Sequence, residues 1–285
     1  MVWNGIIVGY LFLAGMGAGC FAFSTVMGWK NPSGRKARIT DMWIGLIAVG
    51  VGTMLLMFDA MAGFHNPLRF IYLFANWGSV MTWGTAILSL YLVLGFIDFL
   101  VYAITKKTPR ALDWLCIIFS CAVAIYTGVL LGVVEPYPLW NIVVLPILFA
   151  VSAASTGIAA GLLGGQIADR EQMRGVTFHE KLVAWLPIIE AVLVVILLVV
   201  AMQGTGALKA AGEATVSGIV AGAYAPLFWL GLIVIGLAVP CVIDMMSLKK
   251  ARPLSAVMTA EVCVLIGGFI LRYLVVLAAV PAVTF

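Results

Sequence analysis

The sequence predicts an all-α integral membrane protein with eight transmembrane helices, and three observations predict it. Composition is the first: 64% of the 285 residues are apolar and 10% charged, with a mean hydropathy of +1.16, against about 25% charged in soluble domains. The second is length, because eight apolar runs each reach the roughly 20 residues that a helix needs to cross a hydrocarbon core. The third is charge order: thirteen of the sixteen Lys and Arg residues fall in alternate connections between those runs. Backbone groups in lipid must bond internally, and no run alternates with the period of a barrel strand, so each run is read as a helix.

Taken in order, the spans are expected at 5–29, 42–64, 80–104, 113–134, 139–168, 182–203, 220–246 and 254–280. The first carries "LAGMGAGCFAF", in which Gly15 and Gly19 form a GxxxG pair flanked by Ala14, Ala18 and Ala22; small residues at this spacing let another helix approach closely. The fifth, with "LFAVSAASTGIAAG", has a similar small-residue content. Pro67 ends the second span, since proline removes a backbone donor and clashes with the preceding turn. Gly164-Gly165 reads as the close of the fifth.

Orientation follows from the basic residues. The odd connections hold Lys30, Arg35, Lys36, Arg38, Lys106, Lys107, Arg110, Arg170, Arg174, Lys181, Lys249, Lys250 and Arg252, whereas the even ones hold Arg69 and Lys209. Positive loops stay inside, so both termini are expected on the non-cytoplasmic side of the cytoplasmic (inner) membrane. The start of the chain lacks the basic n-region of a cleavable signal. A net charge of +4 distributed in this way reports topology, and no nucleic-acid partner is expected.

The five cysteines, Cys20, Cys116, Cys121, Cys241 and Cys263, fall inside spans without CxxC spacing, and read as packing residues. His65 and His179 lie in connections on opposite sides, which excludes a bis-histidine haem. No metal centre, haem or iron–sulfur cluster is expected in this chain. No Walker loop or dinucleotide fingerprint is present.

The informative residues are the ionisable groups inside or beside spans, which are costly in lipid and mark functional sites by default. Asp98 and Asp244 are expected at solvated helix ends near the cytoplasmic side. Asp59, Glu190, Glu261 and Arg272 lie deeper. The stretch "FDAMAGFHNPLRF" (58–70) gathers Asp59, His65 and Arg69 where the second helix leaves the membrane. Tyr10 and Tyr126 belong to the outer halves of the first and fourth helices. Five polar side chains at one depth suit an amphipathic ligand whose ring needs hydrogen bonds and whose tail needs lipid, and a quinone is the candidate. The alternative is that the tyrosines are interfacial aromatics, His65 is solvated and Asp59 pairs with Arg69. Glu190, Glu261 and Arg272 form a candidate proton route across the remaining membrane.

Four longer stretches carry a family resemblance: "YLFLAGMGAGCF", "DAMAGFHNPLRFIYL", "NWGSVMTWG" and "YTGVLLGVVEPYPLWNIVVLPILFAVSAASTG". In these the chain resembles the membrane subunits of the polysulfide reductase and NrfD-type family, anchors of molybdopterin-dependent respiratory oxidoreductases. The resemblance implies two four-helix bundles, residues 1–134 with the quinone site and residues 135–285. It implies an iron–sulfur, ferredoxin-like subunit docked on the outer face and, through it, a molybdopterin catalytic subunit. It also implies quinone-binding roles for Tyr10, where some relatives have a histidine, and for Tyr126, and a family D…PxRF element at Asp59 and Arg69.

The function expected is a quinol-oxidising membrane anchor that oxidises menaquinol or another quinol and passes electrons to the iron–sulfur partner, with Asp59 and His65 accepting protons. Two alternatives stay open: a secondary transporter or proton-coupled permease using the same buried acids, and a passive structural anchor. The exposed Pro and aromatic residues of "VEPYPLWN" are expected either in a docking surface or, with Trp3, Trp77, Trp83 and Trp140, in an interfacial aromatic belt.

Overall fold

A computed structural model describes residues 4–30, 34–59, 78–170, 180–247 and 254–282. Among these the chain is all-helical, without strands. The helices are α1 (Gly5–Lys30), α2 (Arg35–Asp59), α3 (Val80–Thr105), α4 (Arg110–Gly132), α5 (Val144–Ala168), α6 (Glu180–Ala201) and the short α7 (Ala207–Val220). They are followed by α8, which is π-wound over Leu227–Ala238 and α-helical over Val239–Ser247, and by α9 (Leu254–Leu277). Every one except α7 contributes a span long and apolar enough to cross a membrane, eight in all among the described residues. The protein is a multi-pass membrane protein.

Successive spans run up and down. The end of α1, the start of α2, the end of α3 and the start of α4 therefore share one face, termed here the basic face after Lys30, Arg35, Lys106 and Arg110. The other is the opposite face. α1 packs on α2, α4, α5 and α9, while α5 packs on α1, α2, α4, α6 and α9, so these two helices form the centre of the molecule. Around them, α2 and α4 also contact α3, and α8 joins α6 to α9.

The small residues explain why α1 and α5 can lie so close. A Cβ on Gly19 would collide with the Ala153 carbonyl, and one on Gly157 with the Gly19 backbone. The helix backbones thus touch where the sequence pairs GxxxG with a run of alanine and serine, and dispersion between backbones replaces the hydrophobic drive that lipid cannot supply. Gly236 of α8 and Gly267 of α9 make a second crossing of this kind.

Several boundaries depart from the sequence reading, among them the start of α8, at Leu227 instead of 220. α2 begins at Arg35 rather than 42, because Arg38 and Asp41 are buried inside the fold, whereas their charge marks them as connection. Residues 139–143 precede α5 instead of belonging to it: Leu139 and Trp140 are buried in a non-helical cover. There the Trp140 indole N–H donates to the Val275 carbonyl at 2.7 Å, and its ring stacks on Tyr137 at 3.9 Å between centroids. Trp140 is therefore a core residue and not a belt aromatic, whereas Trp83 is exposed; Trp3 and Trp77 lie outside the described residues. α7 is an element that the apolar runs do not predict, and its Thr215 hydroxyl accepts from the Val280 amide at 3.0 Å, tying it to the segment after α9. Gly164 does not end α5, which continues to Ala168; it lets Ile44 and Asp41 of α2 pack against the backbone.

Candidate functional site

The opposite-face end of the α1–α4 group holds two of the five side chains expected to converge. Tyr10 is five residues inside the start of α1 and Tyr126 six residues before the end of α4, about 8–9 Å at 1.5 Å per residue, so both lie at one depth. Both are buried, and among the described residues neither hydroxyl has a hydrogen-bond partner. They are near enough to act on one another electrostatically. The Tyr126 ring occupies the space that a Cβ on Gly84 of α3 would take. A buried phenol without a partner forfeits a bond worth about 1–3 kcal/mol, so a pair of them is a place prepared for an added polar group. α2 ends at Asp59 beside this depth. The Asp59 side chain, His65 and Arg69 lie outside the described residues, as does His179.

Deeper in the membrane, α9 carries the largest fully buried side chain, Arg272, at 0% exposure. Its Nη1 donates to the Ser152 hydroxyl of α5 at 2.6 Å and to the Gly268 carbonyl at 2.9 Å. The guanidinium lies 5.2 Å from the Phe149 ring centroid and 5.9 Å from that of Phe12, an arrangement that uses the aromatic quadrupole to hold a cation. Nε and Nη2 have no hydrogen-bond partner. Glu190 of α6 is buried beside Ser152, so the acid and the base come from different helices to one hydroxyl. Of the three residues of the candidate proton route, Glu190 and Arg272 come together at this serine, which no sequence pattern singles out. Glu261 is buried too, but eleven residues along α9 from Arg272, about 16 Å away by helical rise.

A third polar group, near the basic face, departs from the sequence reading. Asp98 and Asp244 are buried at 0% and 1% exposure rather than solvated, because neighbouring helices extend past them. Arg38 of α2 donates to Asp113 Oδ1 at 2.9 Å and to the Thr108 hydroxyl at 3.1 Å, and covers the Tyr102 ring at 4.2 Å. Asp98 Oδ2 lies 4.0 Å from Arg38. Asp113 also accepts from the Trp29 indole N–H at 2.7 Å and from Thr108 at 2.7 Å. Asp41, wholly buried between α2 and α5, has no partner for either carboxylate oxygen. The signal available in sequence is the inward stripe Tyr91, Asp98, Tyr102 on α3 at helical spacing.

The described cysteines are all free thiols, with Cys20 and Cys116 buried and Cys121 exposed. Among the described residues no three His, Cys, Asp or Glu side chains are grouped to hold a metal ion. An apolar groove of about 310 Å³ opens between α1, α4 and α5, floored by Gly19, Ala153 and Ala154 and bordered by Ser120.

Comparison with known proteins covers the whole length. Residues 1–284 match the family model described as Polysulphide reductase, NrfD. The protein is 30% identical to the C subunit of polysulfide reductase from Wolinella succinogenes, over 98% of its own length and 94% of that relative's. It is 27% identical to protein NrfD of Escherichia coli over 98% and 95%, and 27% identical to an NrfD homolog of Haemophilus influenzae over 98% and 94%.

Proposed function

Because the chain belongs to the NrfD polysulphide reductase family, we propose that it is the membrane subunit of a respiratory oxidoreductase, in which it oxidises a quinol and passes the electrons to a partner. The observation that carries this reading is the pair of buried, unpartnered phenols, Tyr10 and Tyr126, at one depth beneath the opposite face. A quinol ring placed between them would supply the missing hydrogen-bond partners, and its tail would need only lipid.

In this reading α1–α4 form one four-helix bundle with the quinone site, residues 1–134, and residues 135–285 form the second. The basic face is cytoplasmic, so both termini and the site lie outside, in the inner membrane. Asp59 and His65 accept the two protons released as quinol becomes quinone, Arg69 orients the ring, and the two electrons leave singly. Their acceptor is an iron–sulfur subunit docked above the site and, through it, a molybdopterin subunit, the partners that the family resemblance implies. Glu190, beside Ser152 and its partner Arg272, carries the proton of the second bundle, with Glu261 nearer the basic face. Transport and passive anchoring lack an observation of their own, since neither gives the two phenols a partner.

The test is saturation binding of a quinol analogue to the purified subunit, followed by fluorescence quenching. Wild type is expected to bind one equivalent; Tyr10→Phe, Tyr126→Phe, Asp59→Asn and His65→Ala are expected to weaken binding or turnover by about tenfold each, one charged or buried hydrogen bond's worth. Absence of saturable binding in folded protein removes the proposal.

A further inference from the structure

The geometry points to a proton-binding site at Asp98, loaded from the water on the basic face through the network of Arg38, Asp113 and Thr108. The site is at the other end of the α1–α4 group from the phenols, and it stands independently of the quinone reading.

Charge count is the first argument. Arg38 is the cation of the cluster, and its Nη2 makes its hydrogen bonds to Asp113 and Thr108. Asp98, at 4.0 Å, receives no hydrogen bond from it, and among the described residues neither Asp98 oxygen has another partner. One guanidinium therefore faces two carboxylates in a place from which water is excluded, with Asp98 at 0% and Asp113 at 2% exposure. Leaving the second negative charge uncompensated there is costly, so a positive charge must be added. A metal ion would need several ligands, and the described residues offer no such set; a proton needs one oxygen.

Access is the second. Asp113 and Thr108 are joined at 2.7 Å, Thr108 is half-buried, and Lys106, Lys107, Pro109 and Arg110 beside it are exposed. The hydrogen-bonded chain from the basic face thus runs through Thr108 and Asp113 to Arg38, whose Nη2 faces both carboxylates; a guanidinium does not release its own proton, so Thr108 and Asp113 carry the proton and Arg38 turns aside to admit it. Rotation of that guanidinium toward Asp98 would stabilise the charged form, and its return to Asp113 would leave Asp98 to hold a proton.

The surroundings complete the site. The charged groups facing Asp98 are Arg38 of α2 and, across it, Asp113 of α4, with the buried Cys116 thiol of α4 beside them and the Tyr102 ring of α3 over Arg38. Asp41 of α2 lies apart, against Gly161 and Gly164 of α5. Inward from Asp113, α4 presents Cys116 and then the buried, unpartnered Ser120 hydroxyl at one-turn intervals. Polar groups therefore continue from the cluster toward the Tyr126 end of the same helix.

The experiment uses the purified full-length protein in lipid nanodiscs and needs no quinol or partner. Dicyclohexylcarbodiimide reacts with protonated carboxyls in apolar surroundings, and peptide mass spectrometry locates the adduct. Asp98 is expected to be a main labelled residue, with labelling that falls roughly tenfold per pH unit above its midpoint and is unchanged by sodium. Infrared spectra of the same sample should show a carboxylic-acid band that exchanges rapidly in D2O, is missing in Asp98→Asn and is shifted in Asp98→Glu. Absence of label at Asp98 overturns the proposal. So does label that ignores the external pH without deuterium exchange, which marks a sealed structural acid, and so does protection by sodium at fixed pH, which marks a cation site. The labelling of wild type stands whether or not the variants fold, and loss of quinol binding would leave it untouched.

Discussion

Arg272 of α9 and Ser152 of α5, 120 residues apart, are joined by a 2.6 Å hydrogen bond inside the membrane-spanning core. Glu190 of α6 lies beside the same hydroxyl, and a Cβ on Gly15 of α1 would come within 3.2 Å of the guanidinium. Four helices therefore meet around one cation. Its long side chain is accommodated because α1 and α5 present Gly15, Ser152 and Ala153 at the crossing instead of larger residues.

Ser152→Ala is expected to destabilise the protein by about 1–3 kcal/mol, since Arg272 loses a partner where water cannot replace it. In a double-mutant cycle with Arg272→Met the two changes should couple by about 1 kcal/mol, within the range found for hydrogen bonds between membrane helices. Thermal unfolding of the detergent-solubilised protein measures both quantities, and additive effects would mean that the bond contributes nothing to stability.

The α1–α5 crossing predicts a contrast between glycines. Gly157→Leu puts a side chain where the Gly19 backbone lies, and overpacking of this kind costs at least about 1–3 kcal/mol; folded protein recovered from membranes should fall sharply. Gly50 of α2 has nothing within 4 Å of where a Cβ would sit. There Gly50→Ala should be neutral or stabilising by about 0.5–1 kcal/mol, the helix preference of alanine over glycine. Size-exclusion profiles and melting temperatures of the two variants decide it.

Much of the fold is legible in the sequence because lipid allows few solutions. The reading places α1 to within one residue of its end, and α3 likewise, as both are largely apolar and end at charged or Pro-containing connections. The errors share one cause: in a membrane sequence, charge is taken as connection and apolar character as span. Arg38 and Asp41 break the first rule because they are buried inside the fold, and Leu139 with Trp140 break the second by packing as a non-helical cover. For the site, Tyr10 and Tyr126 follow from depth alone. Ser152 does not, since a serine among alanines carries no sign that an arginine 120 residues away will bond to it.

Asp113 is the better-bonded member of the cluster near the basic face, and it should be the one that stability depends on. Asp113→Asn removes the charge that faces Arg38 at 2.9 Å and weakens the bonds from Trp29 and Thr108. Breaking a buried pair on one side typically costs about 3–5 kcal/mol. Asp98→Asn, which removes no hydrogen bond, should cost less than about 1 kcal/mol. Comparison of the two melting curves checks the order; a larger loss at Asp98 would show that the 4.0 Å contact holds the helices together.

Gly84 offers a way to move Tyr126 without touching its chemistry. The residue is four positions inside the start of α3, and a Cβ there would overlap the Tyr126 ring. Gly84→Ala therefore forces the ring to turn or α3 and α4 to separate, at a cost of about 1–3 kcal/mol. A turned ring carries its hydroxyl away from Tyr10. If the two phenols hold a quinol ring between them, Gly84→Ala should weaken quinol-analogue binding by about tenfold, the equivalent of one displaced hydrogen bond. Tyr126→Phe should weaken it as much while unfolding near the wild-type temperature, because the phenol has no partner in the protein to lose. The double variant should then be no worse in binding than Gly84→Ala alone, since both changes remove the same contact. Unaltered binding in Gly84→Ala, in protein that still elutes as a folded monodisperse species, would place the ligand away from Tyr126.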